Sequence, residues 1–100
     1  MDERFEIKLA QSALEDLRDM LAWYAGQEAD EAGQRLARRI LERIEELAGH
    51  PRMGRVVPEF GQESLRELIE PPFRVVYRIA SSSTVTVIRV WRGERLLILP

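Results

Sequence analysis

Arginine dominates the residues of this chain that could carry chemistry. Eight of the last 50 residues are arginines, whereas Lys8 is the only lysine among the 100 residues. A guanidinium presents a planar fork of N–H donors that binds phosphate or carboxylate, but its pKa of above about 12 makes it a poor proton shuttle. The pattern therefore favours anion binding over acid–base catalysis. The arginines on or near predicted strands are Arg55, Arg66, Arg74, Arg78, Arg89, Arg92 and Arg95.

Groups suited to proton transfer are few. His50 is the only histidine, and it lies beside Pro51 at a predicted helix end, where a solvated role is expected. Glu59, Glu63 and Glu70 flank the arginines and could act as a base, but no spacing singles one out. Because there is no cysteine and only one histidine, we expect no disulfide, no metal site and no cofactor.

The composition fits one small domain spanning residues 1–100. Residues 1–50 carry seven Lys/Arg against twelve Asp/Glu, or −5, and residues 51–100 carry eight against five, or +3. The resulting net charge of −2 argues against indiscriminate nucleic-acid binding but permits a local basic patch. No apolar run of about 20 residues and no N-terminal signal sequence is present, so we expect a cytoplasmic protein without a membrane partner.

Hydrophobic periodicity predicts a strand followed by two helices. Residues 5–9 alternate as a half-buried strand, and the spacing of Ser12 and Glu15 suits a capping box at the start of the first helix. We expect Asp30 to cap the second helix and Gly49 to end it in a left-handed conformation. The short connection predicts an antiparallel helical hairpin. Its apolar stripes are Leu14, Leu17, Leu21 and Tyr24, widened by Met20 and Trp23, and then Leu36, Ile40, Ile44 and Leu47.

Beyond residue 64 the hydrophobic period changes from 3.6 to 2. Residues 65–69, 73–80 and 84–92 read as three strands with short breaks, which predicts an antiparallel meander. Residues 50–64 read as an ordered loop or a very short strand. The fold class is therefore α+β, in the order β-α-α-β-β-β, with the hairpin packed on one face of an antiparallel sheet and arginines on the other. The apolar tail, residues 96–100, either folds over the sheet, adds an edge strand, or is covered by a partner.

Four segments resemble the RelE/ParE toxin superfamily in the right order. Residues 10–17 (AQSALEDL) with Trp23-Tyr24 resemble its opening motif, and residues 47–55 (LAGHPRMGR) resemble its "L…P..GR" stretch. Residues 66–68 with 72–78 resemble "R.L…YR(I/V).Y", and residues 87–95 resemble "V.I..V.H..R". The resemblance spans almost the whole chain. It implies a toxin of a type II toxin–antitoxin, or plasmid stabilisation, module that causes growth arrest and is neutralised by a cognate ParD-like antitoxin.

The superfamily has two principal activities, and the residues present favour one. RelE-like members cleave mRNA on the ribosome with clustered lysines and arginines and a C-terminal tyrosine or histidine, whereas ParE-like members inhibit DNA gyrase. Here the C-terminal stretch lacks tyrosine and histidine, and Arg92 stands where many relatives have histidine. The resemblance therefore favours the ParE branch, without an enzymatic activity. Its target- or antitoxin-binding candidates are Arg55, Arg66, Arg74, Arg78, Arg92 and Arg95.

Two alternatives stay open. A RelE-like endoribonuclease acting on ribosome-bound mRNA would use Arg66, Arg74 and Arg92 to stabilise the phosphate, with a glutamate as base. An inactive relative would only bind its antitoxin or DNA.

Overall fold

The computed structural model describes residues 4–80, 83–93 and 97–100, which form two helices and five strands. In chain order these are β1 (Glu6–Leu9), α1 (Gln11–Gly26), α2 (Asp30–Glu46), β2 (Arg55–Val56), β3 (Leu65–Glu70), β4 (Phe73–Ala80) and β5 (Thr84–Arg92). The predicted α+β order is confirmed, and β2 is the very short strand that the 50–64 segment allowed. Within the described ranges, neither helix is long and apolar enough to cross a membrane.

The five strands form one sheet in the order β1-β5-β4-β3-β2. Strands β2 to β5 pair antiparallel as predicted, but β1 pairs with β5 in parallel, so the sheet is mixed. Alternation within a strand reveals which side is buried and not the direction of its partner, so the antiparallel assignment could not extend to β1. The chain between β1 and β5, which includes the helical hairpin and strands β2 to β4, provides the long connection that a parallel pair requires.

Strand β4 is the centre of the fold because both of its faces are covered. Its residues Phe73, Val75, Tyr77 and Ile79 join the helices in the main core, on what we call the inner face. Val76 points to the outer face, where it packs in a second cluster with Val57, Leu65 and Leu97. Arg78 is the one β4 residue that is exposed.

A β-bulge in β5 changes the phase of its side chains. Val76 pairs with Arg89 while the next residue, Tyr77, pairs with Val87, so Ile88 is an extra residue on β5. Consequently Val87 and Val90 both contribute to the inner core although three positions separate them. Trp91 packs at the outer cluster. Bulges have this effect because two residues oppose one on the partner strand.

The helices pack by small residues and an apolar stripe. In α2 the predicted stripe of Leu36, Ile40, Ile44 and the following Leu47 is buried. In α1 the buried residues are Ala13, Leu17 and Met20, whereas Leu14, Leu21 and Trp23 remain exposed, so only part of the predicted stripe is in the core. The helices approach closely at Gly33, where an added Cβ would lie 2.7 Å from Cβ of Tyr24.

The predicted capping roles of Ser12, Asp30 and Gly49 are wrong. Ser12 lies inside α1 and donates its hydroxyl to the Ile88 carbonyl across the sheet edge, instead of capping the helix. Asp30 is the first residue of α2, and Ala29 occupies the capping position without a side-chain hydrogen bond. Gly49 does not have a positive φ; in the described residues that conformation occurs at Glu28, Gly61 and Ser83. At Ser12 a tertiary hydrogen bond thus replaces the local capping interaction.

The apolar tail folds over the outer face. Leu97 is buried against Val57, Leu65 and Val76, and Leu99 packs beside them. Arg89 Nη1 donates to the Ile98 carbonyl at 3.0 Å, while the Ile98 side chain is exposed. Residues 97–100 are not a strand, so of the predicted alternatives the tail follows the fold-over arrangement. Leu96 lies outside the described residues.

We expect Ile40→Ala to lower the free energy of unfolding by about 2–5 kcal/mol, because the fully buried Ile40 leaves a cavity in the inner core. Its neighbour Leu41 is 41% exposed, so Leu41→Ala should cost less than about half as much and serves as the matched control. Urea denaturation of both variants gives the comparison. Equal losses would contradict the assignment of α2's inner side.

Candidate functional site

A network of charged side chains spans strands β2, β3 and β4 on the outer face. Glu67 is fully buried, and its two carboxylate oxygens accept from Arg74 Nε and Arg55 Nε, each at 2.6 Å. Arg74 also donates Nη1 and Nη2 to the two oxygens of Glu59 at 2.7 and 2.8 Å. The side chains of Arg55, Glu59, Glu67 and Arg74 thus alternate in sign. Their formal charges sum to zero, so the network has no excess positive charge with which to bind an anion.

Sheet register explains why this network forms. Arg55 pairs with Glu67 across β2 and β3, and Arg74 lies on the same face of the adjacent β4. Since β4 is buried on both faces, the guanidinium of Arg74 requires partners, and a buried charge is tolerated only when paired and hydrogen-bonded. Residues Arg55, Glu59 and Arg74 also line a cleft of about 360 Å³ with Pro71, Pro72 and Phe73.

The network shifts the pKa values of Glu59 and Arg74. Hydrogen bonding from Arg74 lowers the pKa of Glu59 from 4.5 to about 2. The same contact raises the pKa of Arg74, although burial opposes the rise. Glu59 is therefore an anion at neutral pH and a weak proton acceptor, because a general base works best with a pKa near the working pH.

Arg66 has a structural role on the opposite side of the sheet. It pairs in register with Tyr77, an inner-face residue, and donates Nε and Nη1 to the carbonyls of Glu63 and Gly54 at 3.0 and 2.8 Å. Its Nη2 binds the carboxylate of Glu63. This hydrogen bond lowers the pKa of Glu63. Arg66 therefore holds the loop after α2 against the sheet.

Tyr77 holds the same loop from inside the core. Its buried hydroxyl accepts from Gly54 N at 3.0 Å and donates to the Pro51 carbonyl at 2.7 Å. A Cβ on Gly54 would lie 2.6 Å from this hydroxyl, so the close approach requires glycine. Burial raises the pKa of Tyr77, which keeps the phenol protonated. Tyr77 is therefore a packing residue of the inner core whose hydroxyl is fully hydrogen-bonded.

Arg89 joins β5 to α1 and to the tail. It makes a bidentate pair with Asp16 at 2.7 and 2.8 Å and lies 4.2 Å above the Trp91 ring. Asp16 Oδ2 also accepts from Val90 N at 3.0 Å, where β5 no longer has β1 beside it. Hydrogen bonding to Asp16 raises the pKa of Arg89. The pair therefore closes an open sheet edge and is not available to a ligand.

Arg92 lies in an aromatic cleft of about 400 Å³ between α1 and the end of β5. Its guanidinium is 5.8 Å from the Trp23 ring centre and 5.6 Å from that of Phe73, distances that suit cation–π contacts. Trp23 is 54% exposed and meets Tyr24 edge to face. Asp19 and Met20 complete the side formed by α1. The cleft is concave, and aromatic and charged side chains both line it.

The predicted site arginines do not gather on one surface. Arg55, Arg74 and Arg78 point to the outer face, whereas Arg66 and Arg92 point to the inner one. Of the outer three, Arg55 and Arg74 share Glu67, while Arg78 is exposed and has no ion-pair partner among the described residues. Arg95 lies outside the described residues. The three arginines considered for nuclease chemistry therefore stand on both sides of the sheet.

The candidate bases are likewise engaged. Glu59 binds Arg74, Glu63 binds Arg52 and Arg66, and Glu70 lies 3.3 Å from Arg39 on α2. His50 is exposed at the end of the turn after α2, as expected. Sequence reasoning missed Glu67 and Asp16, the carboxylates that hold Arg74 and Arg89. The sequence did offer a signal for Glu67: it is next to Leu68, whose side chain faces the helices, so alternation places Glu67 on the opposite side of the sheet.

The fold and these contacts can be set against known proteins. Residues 7–97 match the family described as the ParE toxin of the type II toxin–antitoxin system parDE. The chain belongs to the ParE toxin family. It is a toxin of type II toxin–antitoxin systems by this membership, and the branch expected from the sequence is confirmed.

Solved structures with the same fold include ParE and RelE proteins. The chromosomal ParDE system from P. aeruginosa matches this ParE-family chain with a TM-score of 0.76 and 20% identity, covering 92% of this chain and 99% of that one. A free mutant of E. coli toxin RelE gives 0.66 and 18%, covering 91% and 85%. The toxin–antitoxin complex RelBE2 from Mycobacterium tuberculosis gives 0.64 and 19%, covering 91% and 94%. No curated protein sequence matches at a significant level.

We expect the ParE-family chain to lose stability in acid partly through Glu59. A carboxyl whose pKa is lower in the folded than in the unfolded state stabilises the fold above the unfolded value, here 4.5, and this contribution disappears as the pH falls toward about 2. Between those values the free energy of unfolding of the wild type should fall more steeply than that of Glu59→Gln, measured by urea denaturation at each pH. Parallel curves would show that the pair with Arg74 contributes nothing.

Removing the buried carboxylate alone should be severe. Glu67→Leu leaves the Arg74 guanidinium without its Nε partner, and breaking a buried pair costs about 3–5 kcal/mol. The double variant Glu67→Leu/Arg74→Met removes both buried charges and should recover most of that loss, since Arg55 and Glu59 retain solvent contact. A double variant as unstable as Glu67→Leu would contradict this account.

Proposed function

We propose that this ParE-family toxin arrests growth by binding DNA gyrase and does not cleave RNA, and that a cognate antitoxin neutralises it by lying on the sheet and against the helical hairpin. The main observation in support of this proposal is that the sheet separates the candidate nuclease arginines. Arg66 and Arg92 belong to the inner face and Arg74 to the outer face, so the three cannot surround one phosphate.

The hydrogen bonds made by Arg66 and Arg74 support the same proposal. Metal-free RNA cleavage requires a base, an acid and a cation that reaches the reacting phosphate. The guanidinium N–H groups of Arg66 donate to Glu63 and a loop carbonyl, and those of Arg74 donate to Glu59 and Glu67. A protein that acts by binding has no need of a free proton carrier. It needs a rigid surface, and this internal hydrogen bonding makes the sheet rigid.

The aromatic cleft is the concave feature that best fits a protein partner. Exposed aromatic side chains flanked by arginine are typical of the residues that carry binding energy at interfaces. Exposed Trp23 and the neighbouring Arg92 form this combination beside the buried ring of Phe73, and the cleft lies between α1 and the sheet. Two of the solved structures with this fold, the ParDE system from P. aeruginosa and the RelBE2 complex from Mycobacterium tuberculosis, are toxin–antitoxin systems, which supports an antitoxin as one partner here.

We expect the purified chain to reduce supercoiling by gyrase in a concentration-dependent manner, and addition of its antitoxin to restore it. The parallel assay is toeprinting of a translated message, where no cuts in the ribosomal A site should appear. Unchanged supercoiling together with A-site cuts would replace the proposal by the ribosome-dependent endoribonuclease. Unimpaired growth on expression without the antitoxin, with both assays negative, would identify an inactive relative.

A further inference from the structure

The outer face of the sheet is exposed around Arg78. Val76 and Leu65 are covered by Leu97, and Arg74 is enclosed by Glu59 and Glu67. Arg78 is the exposed residue of an otherwise buried or half-buried strand. Its guanidinium has no hydrogen-bond or ion-pair partner in ranges 4–80, 83–93 and 97–100. It therefore has all of its donors available to another molecule.

Strand register places a second cation on the same row. Arg78 pairs with Thr86 of β5, and Thr86 pairs with Lys8 of β1. Residues opposite one another share a face, and this face is the outer one because the neighbouring row of Ile7, Val85 and Ile79 packs toward the helices. We call Lys8, Thr86 and Arg78 the cation strip. Its two ends lie two strand steps apart, or about 10 Å.

The cation strip has charge to offer a partner. Lys8 Nζ lies 3.8 Å from Glu6, but both side chains are more than half exposed, and such a pair contributes little. The strip therefore presents an arginine fork, a hydroxyl and an ammonium in a line. An arginine fork binds a carboxylate by two parallel hydrogen bonds, and the threonine hydroxyl donates a further one.

The chemistry favours an acidic peptide over a nucleic acid. Two cations beside Glu6, on a chain of net charge −2, provide few of the roughly 6–10 phosphate contacts that sustain nucleic-acid binding. Two carboxylates about 10 Å apart, as at positions seven residues or two turns apart along one side of a helix, match the strip. The partner chemistry that fits is thus a peptide with spaced Asp or Glu residues.

We propose that the cation strip docks an acidic segment of the antitoxin. This inference rests on the proposed function for the existence of that antitoxin, and it adds where the acidic part of the antitoxin lies. The strip is at the β1 side of the outer face, away from the aromatic cleft at the end of β5. An antitoxin that uses both would contact opposite faces of the sheet.

The test compares two charge-matched double variants. Lys8→Gln/Arg78→Gln removes the strip, and Arg35→Gln/Arg38→Gln removes two exposed arginines from α2, a helix that lines neither the strip nor the aromatic cleft through which the antitoxin is proposed to meet the hairpin. The probe is the protein encoded by the reading frame adjacent to that of this chain, and its association rate is measured at several salt concentrations. All four residues are exposed, so equal unfolding midpoints should confirm that both variants fold.

The strip variant should associate about tenfold more slowly at low ionic strength and show a weaker salt dependence, while the α2 variant matches the wild type. Equal rates for the two variants, or no binding of the neighbouring protein to the wild type, would overturn the proposal. So would a strip variant that binds this protein normally but loses gyrase inhibition or loses binding to a 20-base-pair DNA duplex. Gyrase inhibition by the wild type is read separately, so failure of the proposed function does not obscure the result.

Discussion

Burial of the central strand β4 on both faces is the constraint on which the rest of the structure depends. One face meets the helical hairpin, and the other meets Val57, Leu65 and the tail residue Leu97. A strand enclosed in this way can carry a charge only when that charge is neutralised internally, which is the situation of Arg74 between Glu59 and Glu67. The short strand β2, the loop before β3 and the tail are thus parts of one arrangement that covers β4.

This constraint separates two uses of arginine that look alike in the sequence. Arg66, Arg74 and Arg89 are bound to carboxylates and carbonyls of their own chain, so they act as cross-links between elements. Arg78 lies on the same strand as Arg74 but reaches solvent beyond the covered part. Arg92 is shared with aromatic rings at the cleft. In this chain, the high arginine content therefore reflects internal cross-linking as much as exposed positive charge.

Periodicity was sufficient to predict the helices and the meander, because those signals depend on residues close together in the chain. The stripe of Leu36, Ile40 and Ile44 could be read directly, and so could the alternation around Val75 and Tyr77. Partners distant in sequence could not be read: the parallel pairing of β1, the Asp16–Arg89 pair and the carboxylate of Glu67 all depend on register between strands. Local capping rules failed at Ser12 because a distant carbonyl offered a competing hydrogen bond.

The extra residue Ile88 determines which side chains in the second half of β5 face the helices. Before it, odd-numbered residues such as Val85 and Val87 face the helices, and after it even-numbered Val90 does. Deletion of Ile88 would remove the bulge and leave a regular strand with Arg89 still on the outer face and Val90 still on the inner one, whereas straightening the strand with Ile88 kept would bring Arg89 inward and Val90 outward. Where a related toxin lacks the bulge, its alignment with this chain should therefore carry a one-residue gap at this point.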